Sequence, residues 1–341
     1  MKKENLAIIT NEKTYLSEKK YFCDNIDAKS IPEGLNSDFD VRLYVRKSKI
    51  ERKSHEINLK KIVVSNGLIS YIFNILRLIK IDSKYLIISL SPYTFIIYLF
   101  LLIFRKKVFV YLRSDGYEEY KCYSKLFGPT IYHIMFIVAS WGSNLIACRS
   151  HILKGKKGAV VSPSQLNEKW FLNRKTPNLK NINLLYVGRI KIEKGVLSLI
   201  KILNKVKLDF KFSIINSETL HDKKLENAKI RIRNFQNRDD SIIGIYDDHN
   251  IFILPSYTEG HPQVLDESLS RLRPVIIFPE ISHTKRNREG VFVAERSPES
   301  LSKQIEYIMK NYEAIQKKIF ENKLPKKEDF LRQILEIVKS N

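Results

Sequence analysis

Short runs of β-branched and aromatic residues recur along the chain, separated by stretches whose apolar positions return every three or four residues. In the first half the runs are Leu6–Thr10, Val41–Val45, Lys61–Ser65, Tyr85–Leu90, Val108–Leu112, Asn144–Cys148 and Gly158–Ser162. In the second they are Leu184–Gly188, Phe210–Asn216, Lys229–Asn234, Ile251–Pro255, Val275–Phe278 and Val291–Ala294. Several are apolar at every position, the mark of parallel strands covered on both faces. Strands alternating with helical patterns predict an α/β protein with two doubly wound sheets. Ligands of such sheets bind beyond the carboxyl ends of the strands, so two sheets facing a central cleft would put the chemistry in the loops after each strand.

One stretch competes with this reading. Tyr85–Phe104 has no charge and is followed by Arg105, Lys106 and Lys107, as a membrane-spanning helix would be. Pro92, with Ser89 and Ser91 beside it, favours a strand, a Ser-Pro helix start and an apolar helix over Tyr93–Phe104, because proline is tolerated in a first helical turn. No signal peptide is expected, since the apolar run Leu6–Ile9 is too short.

With 341 residues the chain exceeds what one core usually serves, roughly 250–300 residues. The polar stretch Asn173–Asn178, containing Pro177, predicts the boundary. The expected division is 1–175, 176–310, and C-terminal helices over 311–341 that return toward the N-terminal domain. Ser297-Pro298 reads as a helix start, after which Leu301, Ile305, Ile308 and Met309 fall on one face.

Charge adds a question about partners. Lys and Arg number 59 against 37 Asp and Glu, a net +22, of which residues 1–175 carry +15. The densest run is Arg42, Arg46, Lys47, Lys49, Arg52 and Lys53. Such an excess suits nucleic acid, phosphorylated ligands or an anionic membrane surface. No nucleic-acid-binding motif accompanies it, so nucleic acid is not the expected partner. Cys23, Cys122 and Cys148 lack metal-like spacing and read as reduced cytoplasmic thiols. Asp38-Phe39-Asp40, Asp239-Asp240 and Asp247-Asp248 read as turn or loop acids, and no metal is expected.

Two loops carry candidate chemistry. After Leu184–Gly188 comes Arg189-Ile190-Lys191-Ile192-Glu193-Lys194-Gly195. Gly188 permits a tight exit from the strand, after which Arg189 and Lys194 can share the space above the sheet edge, a guanidinium and an ammonium suited to phosphate. After Ile251–Pro255 comes Ser256-Tyr257-Thr258-Glu259-Gly260-His261-Pro262-Gln263, leading to Glu267, expected about two turns into a helix. Carboxylates accept from sugar and ribose hydroxyls, and loop N–H groups suit phosphate.

These two segments in this order, YVGRIKIEKG and LPSYTEGHPQVLDESLSRLRPVI, resemble the GT-B-fold glycosyltransferases of family 4 (group 1). The resemblance covers residues ~184–295 well. It implies two Rossmann-like domains facing a central cleft, and a hexosyltransferase-type enzyme that moves a sugar from a nucleotide-diphosphate donor, UDP- or GDP-sugar, to a glycan or lipid-linked acceptor with retention. Arg189 and Lys194 would hold the donor diphosphate beside Gly188, and Glu267 the ribose. Glu259, with the backbone of Gly260, His261, Pro262 and Gln263, would contact the sugar and departing phosphate. No cofactor is implied. Ser91, in Ile88–Pro92, and Asp115 with Gly116, in Tyr111–Gly116, fall at loops the family uses on the acceptor side.

The chain departs from the family in four places. Thr10-Asn11-Glu12-Lys13 and Ile215-Asn216-Ser217-Glu218 stand where glycine-rich loops are usual, Leu272 where glycine precedes Pro-Val, and Asp115 where histidine is frequent. The expected setting is synthesis of a surface polysaccharide or lipopolysaccharide at the cytoplasmic face of the plasma membrane. A degenerate GT-B protein, a nucleotide-sugar epimerase and a basic nucleic-acid-binding module are the alternatives.

Overall fold

Every run read as a strand is a strand in the computed structural model of the protein, which describes residues 3–52, 55–81, 83–216, 226–234 and 241–340. The chain forms two units, Met1–Ser162 with Glu328–Asn341, and Pro163–Lys327.

The first unit contains strands β1 (Glu4–Ser17), β2 (Lys20–Cys23), β3 (Phe39–Lys47), β4 (His55–Ile57), β5 (Ile62–Ser65), β6 (Lys84–Ile88), β7 (Lys107–Leu112), β8 (Asn144–Ala147) and β9 (Gly158–Val160). Its helices are α1 (Asp27–Leu35), α2 (Leu68–Leu78), α3 (Pro92–Ile103), α4 (Gly116–Tyr123) and α5 (Gly128–Gly142). The parallel order is β5-β3-β1-β6-β7-β8-β9. Strands β2 and β4 add an antiparallel extension that the pattern did not predict, each being only three or four residues long. The absent glycine loop after the first strand has its explanation here. Instead of turning at Thr10, β1 shifts register between Ile9 and Lys13 and continues to Ser17. Glu18 and Lys19, at φ 49° and 64°, then make the two-residue turn into β2.

The sheet is buried on both sides, which is why its strands are apolar throughout. Helices α2, α3 and α5 cover one face with Tyr71, Ile75, Tyr98, Leu101, Met135 and Phe136. On the other face, α1 lies with the last helix of the chain, which contributes Phe330, Ile334 and Val338. Tyr85–Phe104 is strand β6, a loop and α3. Ser91 caps α3 with Thr94 in a reciprocal box, and Ser89 takes a left-handed φ of 67°. Among the described residues no helix is long and apolar enough to cross a membrane.

The second unit is a six-stranded parallel sheet of β10 (Ile182–Val187), β11 (Phe210–Asn216), β12 (Ile230–Asn234), β13 (Ile251–Leu254), β14 (Val275–Ile277) and β15 (Val291–Val293), in the order β12-β11-β10-β13-β14-β15. Its helices are α6 (Val196–Leu203), α7 (Ser241–Asp247), α8 (Gln263–Ser270), α9 (Pro298–Lys310) and α10 (Tyr312–Phe320).

The unit begins thirteen residues before the boundary placed at 175/176, and buried arginines are the cause. Arg271, 1% exposed, donates to the carbonyls of Trp170, Leu172 and Asn173, and Arg273 donates to that of Lys175. Asp247 pairs with Arg271 at 2.7 Å and faces Arg273 at 3.7 Å. Asp247 is therefore a buried counter-ion, not the solvated loop acid expected; Asp239-Asp240 lies outside the described residues. Asp38 and Asp40, the other acids considered, pair with Lys339 and Lys61. Helix α10 stays with the second unit, where Tyr312 donates to the Asn250 carbonyl at 2.7 Å. Only α11 (Lys327–Ser340) packs on the first unit.

Removing one of α11's anchors tests that packing. Phe330→Ala leaves a cavity among Leu43, Tyr111 and their neighbours and is expected to cost about 3–5 kcal/mol in urea unfolding. A cost below about 1 kcal/mol means that α11 is not part of the core.

Candidate active site

Strands β10 and β13 are parallel neighbours, with Leu185 beside Phe252, so their carboxyl ends emerge side by side. The two loops singled out in the sequence leave from these ends. After β10, Gly188 donates to the Ile215 carbonyl at 3.0 Å, and the Tyr186 hydroxyl donates to the carbonyl of Arg189 at 2.9 Å. A side chain at Gly188 would begin 2.6 Å from that hydroxyl. The chain then makes one 3-10 turn, Ile192–Lys194, before α6.

Gly195 is what lets this turn dock on the other loop. It takes φ 64°, and a Cβ there would lie 2.0 Å from the Pro255 carbonyl oxygen. The approach is completed by the Tyr257 amide, which donates to the Glu193 carbonyl at 2.9 Å. Lys194, between those residues, reaches Glu259: its ammonium lies 2.6 Å from Oε1, which also accepts from Ser256 Oγ at 2.7 Å. Both side chains are partly buried, so the pair is shielded more than a surface ion pair. Arg189 is exposed, and its guanidinium has no partner among the described residues.

Glu267 is the fifth residue of α8, hence one turn into the helix and not two, because α8 begins only at Gln263. It is buried, and its Oε2 accepts from the Tyr246 hydroxyl at 2.8 Å. Gly260 and Pro262 are buried in the same loop, and Gln263 is half-buried.

The His261 ring is engaged with the protein on both nitrogens. Its imidazole is buried, with Nε2 at 2.9 Å from Asp266 Oδ2 and Nδ1 at 3.0 Å from Arg286. A guanidinium only donates, so Nδ1 accepts and Nε2 carries the hydrogen given to Asp266. Arg288 completes the set with an ion pair to Asp266 at 2.9 Å. The ring is fully engaged in holding the loop to the start of α8.

Arg296 is a contributor that the motifs did not reveal. Its guanidinium lies over the rings of Tyr257 and Phe278, at 4.2 and 4.4 Å, and donates to the Pro255 carbonyl at 2.8 Å. It thus fixes the strand exit against which Gly195 packs. Position 272, where glycine is usual, has φ 57°: the backbone keeps the left-handed conformation after α8 even though leucine occupies it.

In the first unit, Ser91, Asp115 and Gly116 all sit at helix starts beyond β6 and β7. Asp115 caps α4 through the Tyr117 amide at 3.0 Å and pairs with Lys154 at 2.7 Å. Gly116 is packed so closely that a Cβ would enter the Tyr132 ring at 2.0 Å.

Two outcomes test this geometry. Gly195→Ala should cost clearly more than Gly155→Ala. Both positions have left-handed φ, worth about 1–2 kcal/mol of strain, but nothing lies within 4 Å of a Cβ at Gly155. Equal losses would mean that the Gly195–Pro255 approach is unimportant. The second outcome concerns pH. Burial lowers the His261 pKa, Asp266 raises it, and Arg288 and Arg286 lower it again, with a net fall. His249, lowered first by burial, shifts the same way. The unfolded chain then takes up protons near pH 6.5 while the folded chain does not, so stability is full above about pH 6.5 and falls on acidification toward the folded values. The melting temperature should drop between about pH 7 and 5, and His261→Gln should flatten that slope.

The chain has likenesses among known proteins. Residues 181–311, which contain Arg189, Lys194, Glu259 and Glu267, match the family model of the group 1 glycosyl transferases. No curated protein matches the chain in sequence. Among solved structures, HepE from Anabaena, in complex with UDP and glucose, aligns with TM-score 0.72 and 11% identity over 98% of this chain and 99% of its own. WaaG, a glycosyltransferase involved in lipopolysaccharide biosynthesis, aligns with TM-score 0.70 and 12% identity over 98% and 100%. Sucrose-phosphate synthase from Thermosynechococcus elongatus gives 0.70 and 13% over 98% and 95%. A UDP-GlcNAc 2-epimerase from Neisseria meningitidis, bound to UDP-GlcNAc, aligns with TM-score 0.59 and 12% identity over 99% and 100%. At these identities the likeness concerns the fold, and together with the family match it identifies residues 181–311 as a group 1 glycosyltransferase domain within a chain of GT-B fold.

Proposed function

We propose that the protein is a hexosyltransferase that moves a sugar from a nucleoside-diphosphate donor to a glycan or lipid-linked acceptor, with retention at the anomeric carbon. The observation that carries this reading is the meeting of the loops after β10 and β13, where Lys194 pairs with Glu259, while Arg189 leaves β10 exposed and Glu267 lies in the helix that continues the second loop. Arg189 and Lys194 serve the donor diphosphate, beside the backbone of Gly188. Glu267, oriented by Tyr246, serves the ribose hydroxyls. Glu259, with the backbone of Gly260, His261, Pro262 and Gln263, serves the sugar and the departing phosphate.

Electrostatics supplies the mechanism. As the glycosidic bond breaks, the leaving diphosphate gains negative charge. Cations fixed nearby stabilise that charge more in the transition state than in the ground state. Lys194 is already fixed, since Glu259 and the Gly195 approach hold its position. Arg189 is available for bidentate contact with phosphate. These two cations supply the charge neutralisation in this reading, which calls on no cofactor. Acceptor recognition falls to the first unit, at the ends of β6 and β7 where Ser91, Asp115 and Gly116 begin helices. The setting is assembly of surface polysaccharide or lipopolysaccharide at the inner face of an anionic membrane. HepE and WaaG, with UDP in one and lipopolysaccharide synthesis in the other, support testing UDP-sugars and lipid-linked glycans first.

Calorimetric titration with UDP- and GDP-sugars should show one saturable site, weakened at least about tenfold by Arg189→Ala or Glu267→Ala. Binding indifferent to both changes would refute the assigned site. Products analysed with and without acceptor separate transfer from epimerisation: a new sugar nucleotide formed without acceptor would favour the epimerase reading.

A further inference from the structure

The two helical layers of the first unit differ in what they show to solvent. On the α1–α11 side no large hydrophobic residue of either helix is exposed. On the α2–α3–α5 side such residues are numerous. Phe127, Ile131, Ile134 and Trp141 lie at spacings of four, three and seven residues along α5, one outward stripe opposite the buried Tyr132, Met135, Phe136 and Ala139. Helix α2 exposes Ile69 and Phe73, one turn apart.

Helix α3 extends the stripe. Tyr98 donates to the carbonyls of Val138 and Ala139, and Gly142 faces Leu102, so α3 and α5 run side by side in the same direction. The exposed Leu102, Ile103 and Phe104 therefore adjoin Trp141.

The helices of this face carry charge of one sign, while the adjoining α4 holds Glu118 and Glu119. Helices α2, α3 and α5 contain no acidic residue, and their only charged residue is Arg77. Lys125 precedes the stripe, as does Lys121, which pairs with Glu118 at 3.5 Å, while Arg105, Lys106 and Lys107 follow its other end. An apolar stripe with tryptophan and phenylalanine at its ends, bordered by cations, suits the interface of an anionic bilayer: rings and aliphatic chains enter the headgroup region, and ammonium and guanidinium groups meet lipid phosphates.

We infer that the outer face of the α2–α3–α5 layer docks on an anionic lipid surface, with α5 lying along the interface. This deepens the proposed function, on which it rests for the reason a membrane is approached at all.

The chain carries its own reporter. Of its two tryptophans, Trp141 is 75% exposed and Trp170 is 7% exposed in the other unit. Adding vesicles of phosphatidylglycerol and phosphatidylcholine to the full chain should shift Trp emission to the blue. Vesicles of phosphatidylcholine alone should do so far less, added salt should weaken the effect, and Trp141→Phe should abolish it. Replacing Ile131 and Ile134 together with serine, both at exposed positions, should lower vesicle co-sedimentation about tenfold or more while nucleotide-sugar affinity is unchanged. Binding to anionic vesicles that ignores these substitutions would overturn the inference, as would no binding at all. A concentration-dependent dimer dissolved by the same serines would assign the face to a second copy of the chain. Donor affinity is read separately, so failure of the docking surface and failure of the transferase assignment are distinguishable.

Discussion

The candidate site depends on one close approach, between the turn before α6 and the exit of β13. Gly195 lies where a Cβ would sit 2.0 Å from the Pro255 carbonyl oxygen, and the adjoining Glu193 carbonyl accepts from Tyr257. Only a residue without a side chain, at positive φ, can make this contact. In the same turn Lys194 pairs with Glu259. Arg296, laid over Tyr257 and Phe278, holds the opposite side of the same contact. Two loops some sixty residues apart in sequence thereby meet at the carboxyl end of the sheet's two central strands.

The strands were legible because both faces of each sheet are buried, and continuous apolar runs follow directly from that. The edge additions β2 and β4 were not, since pairs of three or four residues leave too little pattern to read. The domain boundary was misplaced for a different reason. Asn173–Asn178 is polar, as linkers are, but its carbonyls at Asn173 and Lys175, with those of Trp170 and Leu172 before it, accept from Arg271 and Arg273, which hydropathy assigns to the surface. Buried arginines satisfied by carbonyls look, in sequence, like solvent-facing ones.

The site was partly legible. Glycine positions and spacing point to the loops after β10 and β13, which hold Arg189, Lys194 and Glu259, with Glu267 in the helix that follows. What spacing could not supply was partnership: that Lys194 and Glu259 meet, that Glu267 is held by Tyr246, and that His261 turns inward to Asp266 and Arg286. Arg296 carries no motif and becomes visible only when β13 and α9 are brought together. One departure from the family pattern acquires a local cause, a continued strand at Thr10–Lys13, whereas at position 272 leucine takes the left-handed φ that favours glycine.

Charge, the most conspicuous property of the composition, divides into separate roles. Part of it is internal, as in Arg271 and Arg273. Part borders the apolar face of the first unit. Only a small part belongs to the loops after β10. The central claim is that Lys194 and Glu259 act there as one unit on a nucleotide sugar. A double-mutant cycle on donor affinity tests it most directly, with Lys194→Met, Glu259→Gln and the double variant titrated by calorimetry. Strongly non-additive losses, with a coupling of about 0.5–3 kcal/mol, are predicted. Additive losses, or no loss in any of the three, would contradict the claim.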